Sequence, residues 1–155
     1  MKLFLVRHGE AEPYRQQDAT RQLTARGIKQ ATWTAQAIAQ RMQPDVLLVS
    51  PYKRAQQTLR PIQLLFPDVP VHVVQGITPD DDATQALEQL AQYQGQSVVV
   101  VCHMNVVAGL ASLMTGERFD PFSLAEARLF EQEMLSAGLS TEHYRLIPPA
   151  FSDGV

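Results

Sequence analysis

Short unbroken apolar runs alternate along the chain with stretches whose apolar positions recur every three or four residues. The runs Leu3-Phe4-Leu5-Val6, Val46-Leu47-Leu48-Val49, 71–74 and 97–102 read as strands, the continuous ones buried on both faces. The helical pattern follows the first run at Ile28, Ala31, Ala35, Ile38 and Met42, with Thr24 as N-cap and Pro44 as the stop. After the second run, Ser50-Pro51 reads as a cap with proline at the first helical position. That helix is expected to reach Leu65 or Phe66, with Pro61 ending or kinking it. Thr78-Pro79 reads as another start, with Asp80, Asp81 and Asp82 at the positive end of the helix dipole. Ala83, Leu87, Leu90 and Ala91 form its inner stripe. Asn105 is the expected cap of the last helix and Gly116 its C-terminal glycine.

Strands alternating with helices imply crossover units, hence an α/β fold with a largely parallel sheet and helices on both faces. No repeat or linker interrupts it, so residues 1–155 are expected to form a single domain. Residues 10–22 carry charges, Pro13 and no period, and read as a loop long enough to be functional. Residues 123–135 are ambiguous between a helix and a strand. Ser136-Ala137-Gly138 reads as a turn, residues 143–147 as a short strand, and the tail beyond Pro148-Pro149 as irregular.

Composition narrows the function classes. Thirteen basic and sixteen acidic side chains leave a net charge of −3, which gives no electrostatic footprint for nucleic acid. The longest apolar run, Val98 to Cys102, is far too short to span a bilayer, and the N-terminus lacks a signal-peptide pattern. Cys102 is the only cysteine, which excludes an internal disulfide and a thiolate zinc quartet. The expectation is a cytoplasmic monomer, since no coiled-coil seam is present.

The chemistry gathers at strand ends. The first strand ends in Arg7-His8-Gly9-Glu10, the second in Ser50-Pro51 with Arg54 one turn later, and the fourth in His103. Open parallel sheets bind ligands at the carboxyl ends of their strands. Two arginines there suit phosphate oxygens, and the helix start at Ser50 favours an anion. One histidine is then free to accept a phosphoryl group and lose it to water. Neither a metal nor a cofactor is needed.

Arg7-His8-Gly9, Arg21-x-Leu23-Thr24-x-x-Gly27, Ser50-Pro51-x-x-Arg54-Ala55-x-x-Thr58 and the late His103 together resemble the histidine phosphatase superfamily, which includes the phosphoglycerate mutases. The early start and Asp18-x-x-Arg21-x-Leu23-Thr24 are most similar to its small SixA-type subgroup of protein phosphohistidine phosphatases. The resemblance implies that His8 is the nucleophile and that Arg7, Arg54 and His103 hold the phosphoryl oxygens. Arg21 and Ser50 are further phosphate-binding candidates. It also implies a three-layer sandwich, a mostly parallel mixed sheet with one antiparallel edge, and this favours a strand near Leu129.

Two departures bear on substrate. The loop after the third strand, 75–80, lacks the glutamate that larger members use as an acid, leaving Asp18 as a candidate acid and Asp80–82 as helix-start charges. An alkoxide leaving group needs a positioned acid, worth about 10²–10⁴-fold, whereas an imidazole can be protonated before it departs. This favours a phosphohistidine-bearing protein, such as a phosphotransfer domain, over a sugar phosphate. The alternatives are a small-molecule phosphomonoesterase and a non-catalytic phosphoprotein-binding module. The second departure, Cys102-His103-Met104-Asn105, lacks the proline usual in the subgroup two residues after the histidine. Few insertions are available for a lid, so a shallow site is expected.

Overall fold

The computed structural model describes residues 1–152, and the end of the C-terminal tail lies outside the described residues. Six strands, β1 (Lys2–Arg7), β2 (Val46–Val49), β3 (Val71–Val73), β4 (Val98–Cys102), β5 (Ala127–Glu131) and β6 (Thr141–Leu146), form one sheet in the order β3-β2-β4-β1-β5-β6. The first four run parallel, and β5 runs against β1. The antiparallel strand is therefore second from the edge, because β6 pairs with it outside. Residues 127–131 are extended despite strong helix formers around them. Pairing to both β1 and β6 satisfies their backbone groups, and tertiary context overrides propensity.

Alternation along the strands sorts the core into two layers. Phe4, Val6, Leu47, Val49, Val99 and Val101 face helices α1 (Ala25–Ala39) and α2 (Lys53–Leu65), meeting Ala35, Ile38, Leu59 and Ile62. Leu3, Leu5, Leu48, Val98 and Val100 face α3 (Ala83–Leu90) and α4 (Val106–Thr115), meeting Leu87, Leu90, Val107 and Leu110. Each strand of the centre is thus covered on both sides, as its unbroken apolar run requires.

Several helix boundaries differ from expectation. Thr24 does cap α1, its side chain accepting from the Gly27 N–H, but Ile28 is exposed and Met42 lies beyond the helix. The α2 helix begins at Lys53 after Tyr52, so Ser50 is not its cap, and it continues through Pro61 to Leu65. The α3 helix starts at Ala83 with Asp82 as the cap, while Asp81 accepts from the N–H and hydroxyl of Thr78. Asn105 precedes α4 without a side-chain capping bond. Gly116 ends α4 with φ +76°, a conformation glycine adopts without a Cβ penalty. Residues 10–22 are a loop apart from the short turn of helix at Asp18–Thr20. No helix among the described residues is long and apolar enough to cross a membrane.

Candidate active site

The carboxyl ends of β1, β2 and β4 lie side by side, and the backbone around His8 is pinned from two directions. Its N–H donates to the Cys102 carbonyl at 3.1 Å, and its carbonyl accepts from Ala125 at 3.0 Å. The next residue must be glycine. A Cβ on Gly9 would lie 2.6 Å from the Gly27 carbonyl oxygen, and one on Gly27 would lie 2.1 Å from that of Glu10. Backbone therefore packs on backbone where the β1 loop meets the start of α1. The Gly9 N–H donates to Thr58 Oγ1 at 3.0 Å, and that hydroxyl donates to the Arg54 carbonyl at 2.8 Å. One side chain of α2 thus ties the His8 loop to the turn that carries Arg54.

The protonation of His8 follows from its partners. A carbonyl oxygen only accepts, so the Nδ1–H donates to Gly9 at 2.6 Å. Arg54 Nε only donates, and it meets Nε2 at 3.3 Å, so Nε2 carries the lone pair. Burial, together with the charges of Arg54, Arg7 and Arg21, outweighs the Gly9 contact and pushes the His8 pKa down to about 4. The ring is neutral at pH 7, with the lone pair on Nε2.

Three arginines, Arg7, Arg21 and Arg54, line the same recess as His8. Arg54 is almost fully buried. Its other nitrogens donate to the Asp18 carbonyl at 2.8 Å and carboxylate at 3.1 Å. Arg21 donates to the same carboxylate at 2.7 Å and to the Glu12 carbonyl at 2.7 Å. Arg7 donates to the Phe122 carbonyl at 2.8 Å, and its buried Nε has no hydrogen-bond partner among the described residues. Burial works against the Asp18 charge, but the Arg21 and Arg54 guanidiniums outweigh it and hold the carboxyl below its ordinary value.

His103 is fully buried, its ring centre 5.3 Å from that of His8. Its Nε2 lies 2.7 Å from Ser50 Oγ. Burial, then His8 and the arginines, push its pKa down to about 2, so it too is neutral. Cys102 is buried and its thiol is pushed up to about 12, which keeps it protonated. Arg7, His8, Asp18, Arg21, Arg54 and Asp80 all line one open recess of about 440 Å³. A larger recess of about 720 Å³ lies under Arg118 and Arg145. Its Arg145 is paired with Asp120 and Glu142, and its Arg128 with Glu126.

The structure brings together every residue expected at the site, although not in every expected way. Ser50 contacts His103, and Asp18 bridges two arginines.

The family model described as "Histidine phosphatase superfamily (branch 1)" matches residues 3–78. The chain is 32% identical over 141 residues to the phosphohistidine phosphatase SixA homolog of Haemophilus influenzae, covering 83% of this chain and 85% of that one. The chain belongs to the histidine phosphatase superfamily. It is also 32% identical over 123 residues to phosphohistidine phosphatase SixA of Escherichia coli, 76% of each chain being covered. Among solved structures it is similar to the protein histidine phosphatase SixA complexed with tungstate. That match has a TM-score of 0.82 and 25% identity over 95% of this chain and 97% of that one.

Within this histidine phosphatase fold, two contributions were not assigned from sequence. Thr58 stood in the motif without a role, and the Phe122 carbonyl that orients Arg7 arrives from a loop 115 residues away. The Gly9–Gly27 contact left a signal, a glycine in each of two motifs. The Phe122 contact left none, since any residue supplies a carbonyl.

Proposed function

We propose that this chain is a protein phosphohistidine phosphatase that works through a covalent phosphohistidine on His8. One observation carries the reading: His8 is neutral and buried, its Nδ1–H is committed to Gly9, and its Nε2 lone pair is exposed to Arg54. In the first step Nε2 attacks the phosphorus, the P–N bond of the substrate breaks, and the substrate imidazole departs with the proton it has taken up. In the second step water attacks the phosphorus, the His8–phosphorus bond breaks, and inorganic phosphate leaves. Arg7 and Arg54 balance the phosphoryl charge throughout, with Arg21 at the rim and His103 beside them.

The acids favour an imidazole leaving group. Asp18 is held ionised between Arg21 and Arg54, which suits orientation of Arg54 rather than proton donation. Glu10 is engaged by Thr24 and Arg26, and Asp80 accepts from the Asn105 amide at 3.1 Å. The SixA relative was solved in complex with tungstate, an oxyanion, which supports oxyanion binding by this fold. In this reading the chain is a single cytoplasmic domain, monomeric, whose partner is a phosphohistidine-bearing phosphotransfer protein.

The test is phosphate release from a phosphohistidine-bearing protein without added metal. Wild type should release phosphate, His8→Ala should not, and Arg54→Ala should be slower by about 10²–10³-fold. Turnover of alkyl phosphates by a wild type that leaves the phosphoprotein intact would overturn the reading in favour of a small-molecule phosphatase.

A further inference from the structure

The second histidine presents a hydrogen-bond count that does not close on itself. His103 is fully buried, its Nε2 meets Ser50 Oγ, and its Nδ1 is a buried atom with no hydrogen-bond partner among the described residues. Ser50 is also fully buried, and its Oγ already accepts from the Tyr52 N–H at 3.2 Å. A hydroxyl has one proton to give. If His103 donated from Nε2, the Ser50 proton would be left without an acceptor among the described residues, and Nδ1, on a ring centred 5.3 Å from that of His8, would be buried with a bare lone pair. If Ser50 donates to Nε2, its own bonds are complete and the single unmatched group is an Nδ1–H.

We infer that Ser50 is a positioning residue that fixes His103 in its Nδ1–H form, so that the buried ring acts as a hydrogen-bond donor to the transferring phosphoryl group. The inference rests on the phosphoryl-transfer reading above for its purpose, but the tautomer belongs to the resting protein. A neutral donor has a clear use beside Arg7, Arg54 and Arg21, where a further cation would be repelled. It satisfies an oxyanion without adding charge, and because the donor is already aimed, no reorganisation is needed as charge develops. The pair also explains the word Ser50-Pro51 in the sequence. The serine does not cap α2. It serves a ring 53 residues further along the chain.

The tautomer is read directly from the ring nitrogen shifts of His103 in protein carrying nitrogen-15 histidine. Wild type should show a protonated Nδ1 and a bare, hydrogen-bonded Nε2. Ser50→Ala should mix the tautomers, weaken tungstate binding and slow turnover, by no more than the roughly 10²–10³-fold cost of losing one oxyanion donor. Ser50→Thr, which keeps the hydroxyl, should restore both. His103→Asn supplies an amide donor near the Nδ1 position without help from Ser50, so adding Ser50→Ala to it should cost nothing more. A protonated Nε2 in wild type overturns the inference. So does a Ser50→Ala enzyme that is slowed with its tautomer unchanged, or one slowed equally in the His103→Asn background. Failure of the phosphatase reading looks different: wild type leaves phosphohistidine proteins intact while the shifts and tungstate affinities still follow Ser50.

Discussion

Two adjacent imidazoles, their ring centres 5.3 Å apart, are given opposite tasks by their neighbours. His8 has its proton tied down on Nδ1 by Gly9 and offers a lone pair, while His103 has Nε2 tied to Ser50 and offers a donor. His8 must be neutral to offer its lone pair, a neutral His103 donates without adding charge, and burial keeps both neutral. The His8 ring should therefore titrate near 4, well below its ordinary 6.5. Activity requires the unprotonated form, so the rate should hold as pH falls through 6.5 and be lost only as it falls through about 4. An imidazole NMR titration checks this, and a His8 midpoint near 6.5 would contradict it. At this scale the sequence shows residue types well and partners poorly. Arg7, His8, Arg54 and His103 were legible because each follows a strand, and strand ends converge. Ser50 carried a local cap pattern, and nothing in its neighbourhood announced a histidine across the sheet.

At the scale of elements, the site is held by a joint between β1 and α2. Thr58 accepts from Gly9 and donates to Arg54, so the loop bearing His8 and the first turn of α2 move as one. Thr58→Val keeps the shape and removes both bonds. It should cost about 1–3 kcal/mol of stability through the stranded Gly9 N–H. It should also slow phosphate release, because His8 and Arg54 lose their common register. Urea midpoints and phosphate-release rates on the same preparation test this, and unchanged values of both would exclude the joint. Helix starts were the least legible feature. Proline at a presumed first position pointed to Ser50 and Thr78, yet α2 and α3 begin at Lys53 and Ala83. In both cases the polar side chain found a partner outside the helix. Pro61 is tolerated inside α2, and the unbroken packing of Leu59 and Ile62 against the sheet shows what holds the helix there.

The whole molecule is organised by a sheet whose two faces are equally apolar. The alternation of short apolar runs with longer helical stripes made the layers readable from sequence, because run length and period together separate most strands from helices. The order of strands was not readable, since any parallel pair with a crossover has the same pattern. The strand at 127–131 needed β1 and β6 beside it to be a strand at all. Burying two neutral histidines also makes the fold pH-dependent. Their native values of about 4 and about 2 lie below the 6.5 of an unfolded chain. Below 6.5 the unfolded state binds protons that the native state refuses, so stability is complete above that value and falls as pH drops. Each ring removes about 1.4 kcal/mol per pH unit until its native value is reached. The urea midpoint should fall between about pH 7 and about pH 5, and fall less in His8→Ala. Equal midpoints at the two pH values would show that the rings are not buried as described.

The Gly9 contact on His8 has a regiochemical consequence. With Nδ1 committed to a carbonyl, phosphorus can bond only to Nε2, so the trapped enzyme should be the tele isomer, 3-phosphohistidine. The substrate's isomer is independent of this, because the group passes between two separate rings. A donor bearing phosphorus on either nitrogen would leave the same mark on the enzyme, one that isomer-specific antibodies distinguish.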